Sequence, residues 1–292
     1  MSASRGRPDT ALTPDRRSVT YMQKVHLSGE KATMLATLYG RAVDAESPAP
    51  ILGDTMALQA VRNIDTDFTR VGMKRGDAVT VAMRAKHLDD WARDFLAEHP
   101  AAIVLHLGCG MDTRVHRVDP GPGVHWYDVD FPEVIDLRER LYPARDHHTV
   151  IPSSVTDLTW LDRVEGDLPV LVVAEGLTMY LKEGEGHALF RAITERFPSG
   201  RFVFDAFSRR GIKWQKINRV VRLAGATLHW GVDSRADLEA IDPRLRVVTE
   251  LSAFDLPGYE KLRPGYRALV AVARALPFMR RMAVFYRLDF PA

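Results

Sequence analysis

The chain has a single cysteine, Cys109, among its 292 residues. That excludes an internal disulfide and any cysteine-rich metal site, and it suits a reducing compartment. No apolar run approaches the roughly 18–20 residues that span a bilayer. Net charge is nearly absent: 40 basic against 38 acidic side chains leave +2. No global attraction for nucleic acid follows, although basic residues cluster locally. There is no internal repeat, no low-complexity tract and no His/Cys/Asp/Glu cluster with metal-ligand spacing, so no metal is expected. Residues 1–18 are rich in Ser, Arg, Pro and Asp and lack an apolar stretch, so they read as a disordered tail and not as a secretory signal. What is present is 46% hydrophobic residues, enough for a sizeable globular core. The expectation is a cytoplasmic protein without a membrane or nucleic-acid partner.

The middle of the chain alternates. A helical stretch at 78–98 places Leu88, Trp91, Phe95 and Leu96 on one face and stops before Pro100. Strands follow at 103–107, 124–130, 149–153 and 170–174, then a helix at 184–197 and a strand at 201–207. Strands separated by helical segments imply parallel βαβ units, hence an α/β fold with a doubly wound sheet. Upstream, 19–70 reads as helical and irregular. Downstream, 209–224 reads as one amphipathic helix bearing Arg209, Arg210, Lys213, Lys216, Arg219 and Arg222 and no acid. A capped short helix at 233–240 and strands at 245–251 and 282–290 complete the pattern. The remaining basic cluster, Lys261 to Arg281, lies in a Pro/Gly-interrupted segment and reads as surface.

The turn after the first strand, Leu107-Gly-Cys-Gly-Met-Asp112-Thr113, carries the clearest signal. Gly108 and Gly110 allow a sharp turn and close approach of a ligand. A dinucleotide fingerprint would need a third glycine where Thr113 stands. Asp112 would compete with a phosphate for the positive end of the next helix, whereas it suits a cationic, phosphate-free cofactor such as S-adenosylmethionine. Asp112 could equally be a helix N-cap. Asp128 and Asp130 end the second strand on one face; Asp130, nearer its carboxyl end, is the candidate for ribose hydroxyls. Glu175 follows five apolar residues at the end of a central strand, where burial without a partner is costly, so it is a candidate for the cleft. Tyr180 is either a cavity wall or core. His106 is a core or cleft residue, and His147-His148 reads as a solvated loop pair.

With these residues assembled, the chain resembles the leucine carboxyl methyltransferase family, a class I S-adenosylmethionine-dependent group that includes bacterial polyketide O-methyltransferases of the tetracenomycin type. The likeness covers residues 19–290 and rests on Leu107–Arg114, Asp128–Glu133, Ala174–Leu181 and Ala82–Asp90. It implies a Rossmann-like sheet of seven strands, mostly parallel with the last antiparallel, with N-terminal helices and a helical lid insertion. The implied division is 19–100 helical region, 101–208 cofactor-binding core, 209–245 lid and 246–292 C-terminal strands. By the same likeness Arg84 grips the cofactor carboxylate, Gly108 and Gly110 pass the methionine part, and Asp130 holds the ribose. Asp157 and Leu158 flank the adenine, and Glu175 lies under the methionine end. Cys109 replaces a small residue often found in this loop.

Methyl transfer from a sulfonium is an in-line displacement that needs alignment more than a catalytic group. A carboxylate acceptor is already ionised at neutral pH, whereas a phenol needs a base. No histidine stands out as that base. The expected acceptor is a carboxylate of a small, anionic metabolite, polyketide-derived compounds included. The basic 209–222 segment is either a lid that draws it in or a solvated face, with Tyr180, Arg210 and Trp214 as the substrate candidates. The alternatives are a hydroxyl acceptor on the same fold and a nicotinamide-dependent oxidoreductase.

Overall fold

The computed structural model describes residues 23–24, 30–68, 71, 73, 75–215, 219–262 and 264–291; the expected tail at 1–18 lies outside them. The core is a seven-stranded sheet built from β1 (Ala102–Leu107), β2 (Val124–Asp130), β3 (His148–Pro152), β4 (Val170–Ala174), β5 (Gly200–Phe207), β6 (Arg246–Ser252) and β7 (Ala283–Phe290). Its spatial order is β3-β2-β1-β4-β5-β7-β6. The first five strands pair in parallel, while β7 runs antiparallel to both β5 and β6. β1 and β4 are buried along their whole length, which is why they read as unbroken apolar runs: both sheet faces are covered. β6, at the edge, is exposed at alternate positions.

One face is covered by α3 (Arg75–Glu98), whose Leu88, Trp91 and Phe95 pack in one cluster with Val104, Trp126, Val173 and Val203. The opposite face is covered by α6 (Glu183–Arg196), where Leu189, Phe190 and Ile193 join Val172, Phe202 and Phe204. Phe190 stacks on Phe202 with ring centroids 4.5 Å apart. At the N-terminal side α1 (Glu30–Ala45) and α2 (Thr55–Asn63) pack Leu38, Ala57 and Ile64 against Met111 and Val134. Short helices α4 (Arg114–Val118) and α5 (Pro132–Leu141) follow β1 and β2.

One expectation needs correction. The stretch at 209–224 is not one helix: α7 (Arg209–Lys213) ends at Trp214, and α8 (Arg219–Ala224) starts after a gap at 216–218 that lies outside the described residues. Just past Trp214 the Gln215 side chain ties this stretch to Leu228. It accepts from Leu228 N at 2.8 Å and donates to Leu228 O at 3.1 Å, so it binds a neighbouring segment as a backbone would. Lys216 lies outside the described residues. Beyond α9 (Arg235–Glu239), the Pro/Gly-interrupted segment is helical, with α10 (Pro264–Ala275) and α11 (Pro277–Arg280). Both prolines stand at helix starts, where the missing N–H has no partner to lose. Among the described residues no helix is long and apolar enough to cross a membrane.

Candidate active site

The chain order reverses between β1 and β4, and a cavity of about 750 Å³ opens at the carboxyl ends of the strands there, the place where ligands bind in open α/β sheets. Gly108, Gly110, Asp112, Asp130 and Glu175 all line it, together with Arg84 from α3. Gly108 and Gly110 have φ of +60° and +50°. A Cβ at Gly108 would also stand 2.9 Å from Leu177 Cδ1, so this turn is closed to other residues on both counts.

Below the loop lies a network of buried charges. Arg84 Nε donates to Glu175 Oε1 at 2.9 Å and Nη1 reaches Asp205 Oδ2 at 3.4 Å. Arg114, fully buried, donates to Glu175 Oε2 at 2.5 Å and Asp89 Oδ1 at 2.7 Å, and meets Asp112 Oδ2 at 3.2 Å. Arg117 bridges Asp89, Asp112 and Asp54. Arg138 pairs with Asp128 and donates to the carbonyls of Gly110 and Asp112 at 2.8 and 2.7 Å, pinning the loop from behind. Asp130 holds it from the front: its two oxygens accept the N–H groups of Gly110 and Phe131, both at 2.7 Å. The acids Asp54, Asp89, Asp112, Asp128, Asp130, Glu175 and Asp205 thus face Arg41, Arg84, Arg114, Arg117 and Arg138, seven acids against five guanidiniums.

These contacts set the ionisation of the acids. Burial alone would raise the Asp112 carboxyl, but Arg117 and Arg114 hold it well below the usual range. Asp89, Glu175 and Asp128 are also held low against burial, by Arg117, Arg84 and Arg138 respectively. Asp130 and Asp205 are raised, because burial outweighs their partners. An acid held low in the folded chain stabilises it fully above its unfolded value, near 4, and loses that contribution as pH falls through the folded value. Asp130 and Asp205 have the opposite sign: their contribution, present below the unfolded value, is lost as pH rises through the folded one. The two raised acids therefore add stability as pH falls from neutral toward about 4, and below about pH 4 the melting temperature is expected to fall as the low-held group protonates. Thermal unfolding across a pH series checks this. A level melting temperature down to pH 3 would show that the ion pairs contribute nothing net.

The structure resolves several open points. Asp112 is no N-cap: Thr113 precedes α4, with its hydroxyl given to Asp54 at 2.8 Å, and Asp112 lines the cavity while paired to arginines. Its charge is therefore largely answered from within the protein. Asp128 stays out of the cavity, bound to Arg138, His106 and His148. His148 is accordingly no solvated loop residue: it lies in β3, with Nε2 2.9 Å from Asp128 Oδ2. His106 lines the cavity with both nitrogens engaged, Nδ1 at 2.8 Å from Asp128 and Nε2 at 3.4 Å from Arg114. Cys109 is buried, and burial pushes its thiol well up, which leaves it inert as a nucleophile. Asp157 and Leu158 stand outside the cavity lining. Asp157 is exposed and accepts from Thr159 N and Oγ1, and Leu158 packs against the core.

The far half of the cavity is apolar, with Val81, Phe207, Trp214, Val221, Tyr266 and Met282 among its walls and Tyr180 beside them. Tyr180 and Trp214 are thus where the sequence put them. Arg210 is not. It does not line the cavity; its guanidinium lies over the rings of Trp214 and Phe278, at 5.2 and 4.8 Å from their centroids, a stacking that a planar cation favours. Arg209 is exposed and tied to Glu183, Asp233 and Asp237. The positive charges of α7 therefore face outward, and the cap shows the cavity an apolar side. Among the described residues no group of three or more His, Cys, Asp or Glu is placed to hold a metal.

A sheet of order 3-2-1-4-5-7-6 with its last strand antiparallel, and a glycine turn and acids at the carboxyl ends of its strands, define a class I S-adenosylmethionine-dependent methyltransferase. The fold is shared with a methyltransferase structure from Thermobifida fusca, at a TM-score of 0.58 and 16% identity, covering 91% of this chain and 96% of the other. The sequence model for leucine carboxyl methyltransferase matches residues 33–194. The chain belongs to that family. It is 43% identical to the tetracenomycin polyketide synthesis O-methyltransferase TcmP of Streptomyces glaucescens, over 88% of this chain and 96% of that one. It is 37% identical to the S-adenosyl-L-methionine-dependent methyltransferase dpfgK of Gibberella zeae, over 76% of this chain and 82% of the other. The nicotinamide alternative gives way to this membership.

Proposed function

We propose that this S-adenosylmethionine-dependent O-methyltransferase esterifies a carboxylate of a small, largely apolar molecule. One observation carries the choice of acceptor: the cavity-lining His106 has both nitrogens engaged, so among the described residues no imidazole is placed to take a hydroxyl proton, and a carboxylate needs none. The family's description as a carboxyl methyltransferase and the O-methyltransferase relative point the same way. With the basic residues of α7 turned outward, the acceptor's countercharge comes from the cofactor rather than from a cationic lid.

The charged half of the cavity fits the cofactor. Its excess of acids over guanidiniums suits a ligand whose sulfonium and ammonium outweigh its carboxylate. When bound, S-adenosylmethionine supplies an electrophilic methyl group on that sulfonium. Arg84 has Nε and Nη1 engaged by Glu175 and Asp205, which leaves Nη2 to grip a ligand carboxylate in a charge-assisted bond. Gly108 and Gly110 keep the turn bare for a close-lying ligand. Asp130 has lone pairs to spare beyond its two backbone bonds and takes the ribose hydroxyls. Glu175 fixes Arg84 and adds negative charge beneath the methionine end. An adenine contact by Asp157 and Leu158 rests only on their place just past β3. The apolar walls strip water from the acceptor and hold its oxygen in line, so alignment supplies the rate and no residue acts as acid or base.

A hydroxyl acceptor is the second reading, and Asp77 is what favours it: this acid of the first turn of α3 also lines the cavity. Rate against pH separates the two. A carboxylate acceptor gives a level rate between about pH 7 and 9, whereas a phenol of pKa near 10 gives a steep rise. The product adds a second check. Mild alkali returns a methyl ester to the acid and leaves a methyl ether intact; a product stable to alkali would overturn the carboxylate reading.

A further inference from the structure

Among the described residues nothing covers the outer side of α10, an amphipathic helix. Of its twelve residues only Ala273 is buried, and it packs chiefly on α11 and the short turns Ala253–Asp255 and Tyr259–Lys261. Helical spacing puts Ala268, Leu269, Ala271, Val272 and Ala275 on the outward arc, without one polar side chain. Leu269 and Val272 are 64% and 59% exposed. Phe278 of α11, Trp214 and Tyr266 extend this apolar surface to the cavity mouth, since the last two also line the cavity. A soluble surface rarely leaves such a patch open without a use.

The patch itself belongs to a basic stretch of sequence, with the acids Asp255 and Glu260 in the turns that α10 packs on. Lys261, Arg263, Arg267, Arg274, Arg280 and Arg281 occur with no acid from 261 through 288. Asp255 answers two of them, Arg274 and Arg280. Arg267, Arg281 and, on α7, Lys213 are exposed at the margin. Beside α11 a recess of about 430 Å³ is lined by Arg235, Arg280 and Arg281, with Ser252 and a single acid, Glu250. Its lining is basic. A second copy of the chain set face to face would bring an equally basic surface against this one.

We propose that the outer face of α10 and α11, with Trp214, docks on an anionic lipid bilayer, and so sets the cavity mouth at the membrane surface. An apolar arc, cations at its margin and Trp, Tyr and Phe side chains between them are the composition of an interfacial helix. The cations meet lipid phosphates. The membrane was set aside from the sequence because no run spans it; a helix lying in the interface needs no such run. Delivery of an apolar acceptor from the bilayer rests on the proposed function above, whereas the docking does not.

Flotation of the full chain with vesicles tests the docking. Binding to vesicles of phosphatidylglycerol and phosphatidylcholine is expected, with little binding to phosphatidylcholine alone and release by high salt. The double variant Leu269→Asp, Val272→Asp should lower binding about tenfold or more. Its melting temperature and affinity for S-adenosylhomocysteine should be unchanged, because both side chains are exposed. Arg267→Glu with Arg281→Glu should weaken binding to the anionic vesicles. Absence of binding to anionic vesicles, the result for a face that serves an acidic protein, would overturn the proposal. So would a wild-type dimer in light scattering that the Leu269→Asp, Val272→Asp variant turns into monomer without any effect on flotation.

Discussion

Arg114→Met is expected to lower the stability of the fold by about 3–5 kcal/mol, the usual consequence of removing one partner from a buried ion pair. The side chain is fully buried and reaches Asp89, Asp112 and Glu175. Methionine fills similar space, so the loss comes from three carboxylates left with less countercharge in a medium that solvates them poorly. Arg117 still serves Asp89 and Asp112, and Arg84 still serves Glu175, which keeps the effect short of complete unfolding. In a chain of this size the melting midpoint should fall by roughly 6–20 °C. Arg209→Met is the control. Its pairs with Glu183, Asp233 and Asp237 are exposed, and such pairs are worth about 1 kcal/mol or less. Equal losses in the two variants would show that burial of the Arg114 network is not what matters.

Arg84→Ala and Glu175→Ala are expected to weaken S-adenosylhomocysteine by an order of magnitude or more, because charge-assisted hydrogen bonds are worth roughly 1.5–3 kcal/mol each. The two act differently. Arg84→Ala removes the donor and leaves Glu175 and Asp205 less compensated. Glu175→Ala leaves Arg84 and Arg114 to repel each other and frees Arg84 to turn. Arg84→Lys should restore little, since a lysine cannot span two acids and a ligand with one planar fork. Calorimetry with S-adenosylhomocysteine reads all three. Unchanged affinity in both alanine variants would remove Arg84 and Glu175 from the cofactor site.

The strands and the glycine turn were legible because each is a local signal: an unbroken apolar run for a strand covered on both faces, and paired glycines where φ must be positive. Glu175 was legible for the same reason, as an acid ending such a run. Asp205 carries that very signal, in Phe202-Val-Phe-Asp205-Ala-Phe, and went unread although it holds Arg84 and accepts Gly176 N at 2.6 Å. The arginines beneath the loop are another matter. Arg114, Arg117 and Arg138 come from two helices, and their acids from α3, β2 and loops. No spacing in the chain announces a pairing that the fold alone creates. The cap misled for a third reason. A run of positive charges looks like an attraction for anions, yet direction decides, and packing of Ile212 and Val221 against Met179 and Leu228 turns the cations away.

The placement of β7 between β5 and β6 bears on the order in which the molecule assembles. β6 reaches the sheet only through β7, which follows it in the chain. During synthesis, then, β6 emerges with no strand to pair with, and the open edge of β5 waits until residues 283–290 have left the ribosome. The cofactor end of the sheet, from β1 to β4, has all its neighbours long before that. The unpaired strand and the waiting edge form the interval in which a nascent chain is most exposed to aggregation, so its last strand governs not the chemistry but the safe completion of the fold.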